Sequence, residues 1–249
     1  MSGHSKWSTI KHKKAAKDAK RGKAFTKLIK EITIAARLGG GDVAANPRLR
    51  TAVAAAKAQS MPNDNIDRAV KKGAGGIEGE TYVEVTYEGY GPGGMAVVLE
   101  GLTDNRNRTV ADVRNIFSKN GGSLGEANSV KWMFDRVGQI QVSAEGTVED
   151  VLFEAALEAG ASDVAADPDG FLVTTPYEVL EDCRGKLEAA GFRLLGAEVT
   201  YSPQNTVQLT GNDAARALRL LEALEDHDDV QKVSANLDID DDELGRLTA

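Results

Sequence analysis

The chain has 249 residues, 41% of them hydrophobic and 27% charged, with a formal net charge of −8 at pH 7. That length allows two or three domains with cores of their own, and no run of 18 apolar residues is present to form a membrane span. No apolar leader follows Met1, Ser2 stands where myristoylation needs a glycine, and the single cysteine, Cys183, cannot form an internal disulfide, so a reducing, cytoplasmic setting is expected.

The charge is divided unevenly along the chain. Residues 1–75 hold 17 Lys or Arg against five acids (Asp18, Glu31, Asp42, Asp64 and Asp67), a net of +12; the remainder holds 13 against 33, a net of −20. Such asymmetry points to a polyanionic partner for the N-terminal part. In residues 8–22, Lys11, Lys14, Lys17 and Arg21 recur at helical spacing, but the only apolar residues between them are Ala15, Ala16 and Ala19, and Gly22 interrupts the pattern. This stretch reads as an arm, mobile until an anion orders it. From Ala24 the pattern becomes that of an amphipathic helix through Phe25, Leu28, Ile29, Ile32, Ala35 and Ala36, stopped by Gly39-Gly40-Gly41.

Asn46-Pro47 pairs an N-cap with a first-turn proline and opens a second helix with Leu49, Val53 and Ala56 on one face. Met61-Pro62 ends it, and NDNIDRAVKKG, acidic first and basic last, suits the dipole of a third. GAGGIEGE (73–80) reads as a linker. Beyond it, TYVEVTYEGY and MAVVLEGL alternate like strands, NRTVADVRNIFSKNGG is helical, and VKWMF reads as a strand with Trp132 and Phe134 on one face, both expected in the core. Residues 137–201 then spell βαββαβ, the ferredoxin-like order, followed by a helix, NDAARALRLLEALED, and a strand, DVQKVSANL.

The segments left over (95–102, 106–120, two short strands within 123–135, 212–225 and 229–237) spell the same order again. The expected fold class is therefore α+β and multidomain: an N-terminal three-helix domain followed by two ferredoxin-like α+β domains, the second inserted in the first. The expected boundaries are 1–78, 79–136 plus 205–249, and 137–204.

Few motifs carry chemistry. GYGPGG (89–94) matches a dinucleotide-binding pattern, but MAVVLE after it is strand-like where a helix is required, so a hairpin turn is expected. LDIDDDE (237–243) begins like a calcium loop, yet Glu243 occupies the glycine position and Ala249 the bidentate glutamate position; it reads as an acidic, partly disordered tail. His4, His12 and His227 are too scattered for a metal triad, and Cys183 lies in a helix-like run as a packing residue. No catalytic constellation, metal, cofactor or small-molecule substrate is indicated. In TDNRNRT (103–109), Thr103 or Asp104 is placed to cap a helix, leaving Arg106 and Arg108 in its first turn, where a docked anion would offset them. Trp7 among the lysines of the arm either staples to the helical domain or stacks on a base, the latter a contact of about 1–3 kcal/mol.

Taken together, GHSKWSTIKHKKAAKDAKRGKAFTKLIKEITIAARLGGGD, NPRLRTAVAAAKAQSMPNDNIDRAVKKG, YEGYGPGGMAVVLEGLTDNRNRTVADVR and SLGEANSVKWMFDRVG closely resemble the YebC/PmpR family over essentially the whole chain. The resemblance implies a three-domain cytoplasmic protein that is not an enzyme. It also implies DNA-binding transcriptional regulation, or, as for mitochondrial relatives and members linked to ribosomes stalled on proline runs, translational activation through rRNA and the ribosome. The positions it carries over as nucleic-acid contacts are Lys6, Lys11, His12, Lys13, Lys14, Lys17, Lys20, Arg21, Lys23, Lys27, Lys30 and Arg37, with Trp7, Arg106 and Arg108. Lys-rich contact of this kind positions a protein on phosphate and carries little sequence information. Whether DNA or RNA is the target, and the oligomeric state, are left open by the sequence.

Overall fold

The computed structural model describes residues 19–167 and 170–248. The arm's Lys6, Trp7, Lys11, His12, Lys13, Lys14 and Lys17 lie outside the described residues. Three helices come first: α1 (Ala19–Gly39), α2 (Pro47–Ala58) and α3 (Asn63–Gly73). Ile32, Ala35 and Ala36 of α1 are buried against Leu49, Val53 and Ala56 of α2 and Ile66 and Ala69 of α3. The Asn46 side chain accepts from the Leu49 N–H at 3.1 Å and donates to the Ala35 carbonyl at 2.8 Å, capping α2 and tying it to α1 at once. Where α3 crosses α1, a Cβ on Gly73 would lie 2.2 Å from the Thr33 carbonyl oxygen, so only glycine permits that approach.

The helix does not wait for Ala24. It runs through Gly22, whose carbonyl accepts the Thr26 hydroxyl at 3.1 Å. A glycine in a helix interior costs about 1 kcal/mol relative to alanine; the tertiary contacts of Lys23 and Lys27, described below, outweigh that local penalty.

Two separate four-stranded sheets follow. The first has β1 (Val83–Tyr90), β2 (Ala96–Thr103), β3 (Ser123–Leu124) and β9 (Val230–Ala235) in the order β3-β1-β2-β9, every neighbouring pair antiparallel. Between β1 and β2 lies the expected hairpin, its turn closed by Gly91 N–H to Met95 O at 2.8 Å and bent by Gly93 and Gly94 at φ of 66° and 79°. Helices α4 (Arg106–Lys119) and α7 (Gly211–Glu225) cover one face, burying Val113 and Phe117 of α4 and Leu220, Leu221 and Leu224 of α7 against Val97 and Leu99.

The second sheet is built from β4 (Phe134–Ser143), β5 (Asp163–Asp167), β6 (Gly170–Pro176) and β7 (Leu194–Pro203) in the order β5-β6-β4-β7, covered by α5 (Glu149–Ala159) and α6 (Leu180–Ala189). Counted in chain order that is 2-3-1-4, the ferredoxin-like arrangement. Cys183 is buried in its core beside Ile140, Val142 and Leu187, and burial pushes its thiol up from the ordinary value.

Two expectations need correcting. The first sheet has no second strand from 123–135: its third position is filled by β1, which precedes the first strand in the chain, while Lys131–Met133 is a 3₁₀ turn and Phe134 opens β4 of the other sheet. The tail beyond Leu237 is ordered. β10 (Leu237–Asp238) pairs in parallel with β8 (Val207–Gln208), and α8 (Asp241–Thr248) is capped by Asp240 Oδ1, which accepts from the Asp242 N–H at 3.0 Å. Leu237, Ile239 and Leu244 enter the first core, and Glu243 accepts from the Gly211 N–H at 2.8 Å, a carboxylate on the positive end of α7. Three apolar side chains set among acids suffice to fold the segment back.

Candidate nucleic-acid interface

The cations of α1 that sequence spacing assigns to a partner do not form one surface. Lys23, Lys27 and Lys30, at i, i+4 and i+7, share one stripe of the helix, and that stripe lies against the C-terminal end of α7. Lys23 Nζ donates to the Asp226 carbonyl at 3.1 Å, Lys27 Nζ to the Glu225 carbonyl at 2.5 Å, and Lys30 Nζ to the Asp228 carbonyl at 3.0 Å. The last carbonyls of a helix lack intrahelical partners and carry its negative partial charge, so the Lys23 and Lys27 ammonium groups there satisfy both hydrogen bonding and electrostatics, while Lys30 meets the turn just beyond.

At the centre of this junction lies Asp229, 3% exposed, with Lys30 beside it at 7%. Its Oδ1 accepts from Lys30 Nζ at 2.5 Å; its Oδ2 accepts from Thr109 Oγ1 at 2.6 Å and Arg108 Nη2 at 3.0 Å. Burial alone would raise this carboxyl, but the hydrogen bonds from Lys30, Thr109 and Arg108 hold it well below the usual carboxylate range. Arg108 also pairs with Asp104 at 2.7 Å. Its position in the first turn of α4 is therefore balanced from within. The cap of α4 is Asn105, whose Oδ1 accepts from the Arg108 N–H at 3.1 Å, rather than Thr103 or Asp104; the Thr103 hydroxyl instead accepts from the Asn105 N–H at 2.8 Å.

Arg37, farther along α1, donates to the Tyr82 carbonyl at 3.1 Å. The Tyr82 ring sits beneath the ammonium groups of Lys30 and Lys72, and burial together with its hydrogen bond to Glu80 pushes its hydroxyl up to about 12. Thus the residue that begins the first sheet domain is clamped by cations of the helical one.

Four further cations are turned outward. Lys57 of α2 and Arg68 and Lys71 of α3 are exposed and have no side-chain partner among the described residues, and Arg106 is exposed at the start of α4. Lys20 and Arg21 belong to the first turn of α1. Arg48 is committed to Glu31 and Glu84, both at 2.7 Å.

Sequence reasoning missed Asp226, Asp228 and Asp229 as partners of the lysines. A signal was present: DHDD directly follows a helix C-terminus, where acids oppose the dipole, so cations from elsewhere are required. It also misplaced Trp132. Phe134 is buried at the start of β4, but Trp132 is 69% exposed. Among the described residues no group of three or more His, Cys, Asp or Glu side chains is arranged to hold a metal ion, and no helix is long and apolar enough to cross a membrane.

Comparison with known proteins agrees with this architecture. Residues 5–76 match the TACO1/YebC protein N-terminal domain and residues 82–237 the TACO1/YebC second and third domain. A protein of Desulfatibacillum aliphaticivorans is 60% identical over 98% of this chain and 99% of its own, and one of Desulforapulum autotrophicum is 58% identical over 97% and 98%; both are named probable transcriptional regulatory proteins. The crystal structure of a conserved hypothetical protein from Aquifex aeolicus superposes with a TM-score of 0.88 at 48% identity, covering 95% of this chain and 98% of that one. By sequence and by fold alike, the chain belongs to the TACO1/YebC family, whose relatives carry the name of regulators of transcription.

Proposed function

We propose that this protein is a non-enzymatic, nucleic-acid-binding regulator of gene expression acting in the cytoplasm, and that its first target is duplex DNA, gripped through phosphate. One observation carries the reading: the N-terminal 75 residues have a net charge of +12 on a chain of net −8, and only part of that charge is used internally. Lys23, Lys27, Lys30 and Arg37 dock the helical unit onto the acidic one. Contact with phosphate then falls to Lys6, Lys11, His12, Lys13, Lys14 and Lys17 with Trp7, to Lys20, Arg21 and Arg106, and to the exposed Lys57, Arg68 and Lys71. In this reading residues 1–78 meet the polyanion, while 79–136 with 205–249, and the inserted 137–204, form an acidic support.

Lysine contacts of this kind neutralise phosphate without reading base edges, so weak sequence preference follows. One observation favours a second reading, a translation factor bound to rRNA or the ribosome: the exposed indole of Trp132, which a duplex with its bases stacked inside has no use for.

The test compares the intact protein with one lacking residues 1–18 on duplex DNA, structured RNA and ribosomes across a salt series. With about 6–10 phosphate contacts, affinity should fall about 10³–10⁵-fold between 50 and 200 mM salt, and the truncation should remove most of it. Preference for a defined promoter of about 10³-fold or more over random DNA supports the transcriptional reading. Ribosome association that survives physiological salt, with only sequence-blind DNA binding, supports the translational one. Equal binding with and without residues 1–18 would overturn both.

A further inference from the structure

An exposed tryptophan that is also held rigid calls for a partner. Trp132 is 69% exposed, yet its Nε1 donates to the Ser129 carbonyl at 3.1 Å. The hydroxyl of Tyr90, a ring 40% exposed at the end of β1, donates to the same oxygen at 3.1 Å. One acceptor thus brings the polar edges of the two rings together. The loop beneath them is pinned by the buried Glu88 carboxylate, which accepts from the N–H groups of Asn128, Val130 and Lys131 at 2.7, 2.9 and 2.7 Å. Burial would raise the Glu88 carboxyl, but those three backbone donors lower it below its ordinary value and keep it charged. The aromatic pair therefore stands on a fixed base, its rotamers set before any ligand arrives.

Cations near this loop in the chain also lie over aromatic rings. Lys131 lies over the Tyr201 ring at 5.4 Å, Arg136 is in register with Tyr201 across β4 and β7, and Arg136 lies over the Tyr177 ring at 4.8 Å. The acids nearby include Glu100, Asp135, Glu178 and Glu198: Glu100 is raised above the ordinary carboxyl value, chiefly by burial, Asp135 accepts from the Gln204 amide at 2.9 Å, Glu178 accepts from the Tyr177 hydroxyl, and Glu198 pairs with Lys232 at 2.7 Å. An exposed π-face with cations close by in the chain is the combination that a single-strand stacking site uses. The indole's immediate chain neighbours are Lys131 and Met133, with Asp135 and Arg136 following Phe134, so charged as well as apolar side chains lie near it in the chain.

We propose that Trp132 and Tyr90 form a stacking platform for an unpaired base of single-stranded RNA, with Lys131 and Arg136 meeting the flanking phosphates. The proposal rests on the RNA reading above and adds a second contact in the acidic part of the molecule, away from the N-terminal cations.

The chain has two tryptophans, so a Trp7→Phe protein makes Trp132 the sole indole. Its fluorescence would be followed during titration with an unstructured RNA oligonucleotide, binding being read independently by anisotropy of a labelled copy. Quenching that saturates with binding is expected. In the otherwise native chain, Trp132→Ala should weaken that RNA by about 5- to 150-fold and Trp132→Phe by less, with duplex DNA unaffected and the melting temperature unchanged. RNA bound with unquenched Trp132 and full affinity in Trp132→Ala would overturn the platform and leave the RNA reading standing. RNA bound by no variant would overturn both. Loss of a protein partner but not of RNA in Trp132→Ala would assign the surface to protein instead and overturn the proposal.

Discussion

Lys30→Met tests whether the α1 lysines belong to the protein's own architecture. Methionine retains most of the apolar stem and deletes the ammonium that donates to Asp229 Oδ1 at 2.5 Å and to the Asp228 carbonyl at 3.0 Å. Removing one member of a buried ion pair typically costs about 3–5 kcal/mol, because the other charge is left stranded. Here Asp229 keeps Thr109 at 2.6 Å and Arg108 at 3.0 Å on its second oxygen, so the cost should fall near the lower end, about 3 kcal/mol. Asp229→Asn strands the ammonium in its turn, and the double variant should cost less than the sum of the two, with a coupling of about 1–3 kcal/mol. Urea unfolding followed by circular dichroism measures the cycle. Proteolysis in the exposed glycine-rich segment 74–80, faster in Lys30→Met than in the native chain, reports undocking directly. A destabilisation below about 0.5 kcal/mol with no coupling would mean that the pair is incidental and that the lysine is free for another partner.

The remaining predictions use other parts of the same framework. Asp229 is held below its unfolded value, so its contribution to stability is complete above about pH 4, the unfolded carboxylate range, and is lost as pH falls through the folded value; acid titration of Asp229→Asn should show a shallower decline than the native chain. Gly73→Ala should destabilise the helical unit by more than about 1 kcal/mol, since the added methyl meets the Thr33 carbonyl; an unchanged melt would contradict the crossing of α1 and α3. Glu88→Gln replaces a carboxylate that takes three backbone donors and should cost about 1.5–3 kcal/mol by thermal melting, while making the Trp132 fluorescence more mobile in anisotropy decay. Leu244→Ala should cost about 2–5 kcal/mol if the C-terminal helix is part of the first core, and nothing measurable if that segment is a loose tail.

Much of the fold was legible because strong local signals and global packing agree. Asn46-Pro47 opens a helix in the sequence and in the structure, and the 137–201 order becomes a four-stranded sheet with the expected topology. What escaped were features decided by distant partners. β1 completes the first sheet although it lies outside the βαββαβ run that spells it, since pairing depends on which edge is open and not on chain order. Gly22 marks a break only if the flanking lysines are solvated; docked on α7, they carry the helix through it. The acidic tail folds because Leu237, Ile239 and Leu244 find an existing core.

The candidate site was legible in sign but not in address. Counting charge places the excess of cations in the first 75 residues, yet a count does not separate lysines that face solvent from those that meet a helix end. Lys23, Lys27 and Lys30 recur with the spacing that would also suit a phosphate groove, and their partners at 225–229 lie about 200 positions away in sequence. For Trp132, strand-like alternation predicted burial; three N–H groups converging on Glu88 turn the loop so that Phe134 goes inward and the indole outward.

The division of the cations is tested most directly by the salt dependence of nucleic-acid affinity in two charge-neutralised proteins. One carries Lys11, Lys13, Lys14 and Lys17 changed to Gln; the other carries Lys23 and Lys27 changed to Gln. Each phosphate that a variant no longer neutralises lowers the slope of log affinity against log salt by about 0.7–0.9. The account predicts a slope reduced by about 3–4 in the first protein with stability unchanged, and a native slope with reduced stability in the second. A native slope in the first, with the reduction appearing in the second, would contradict it.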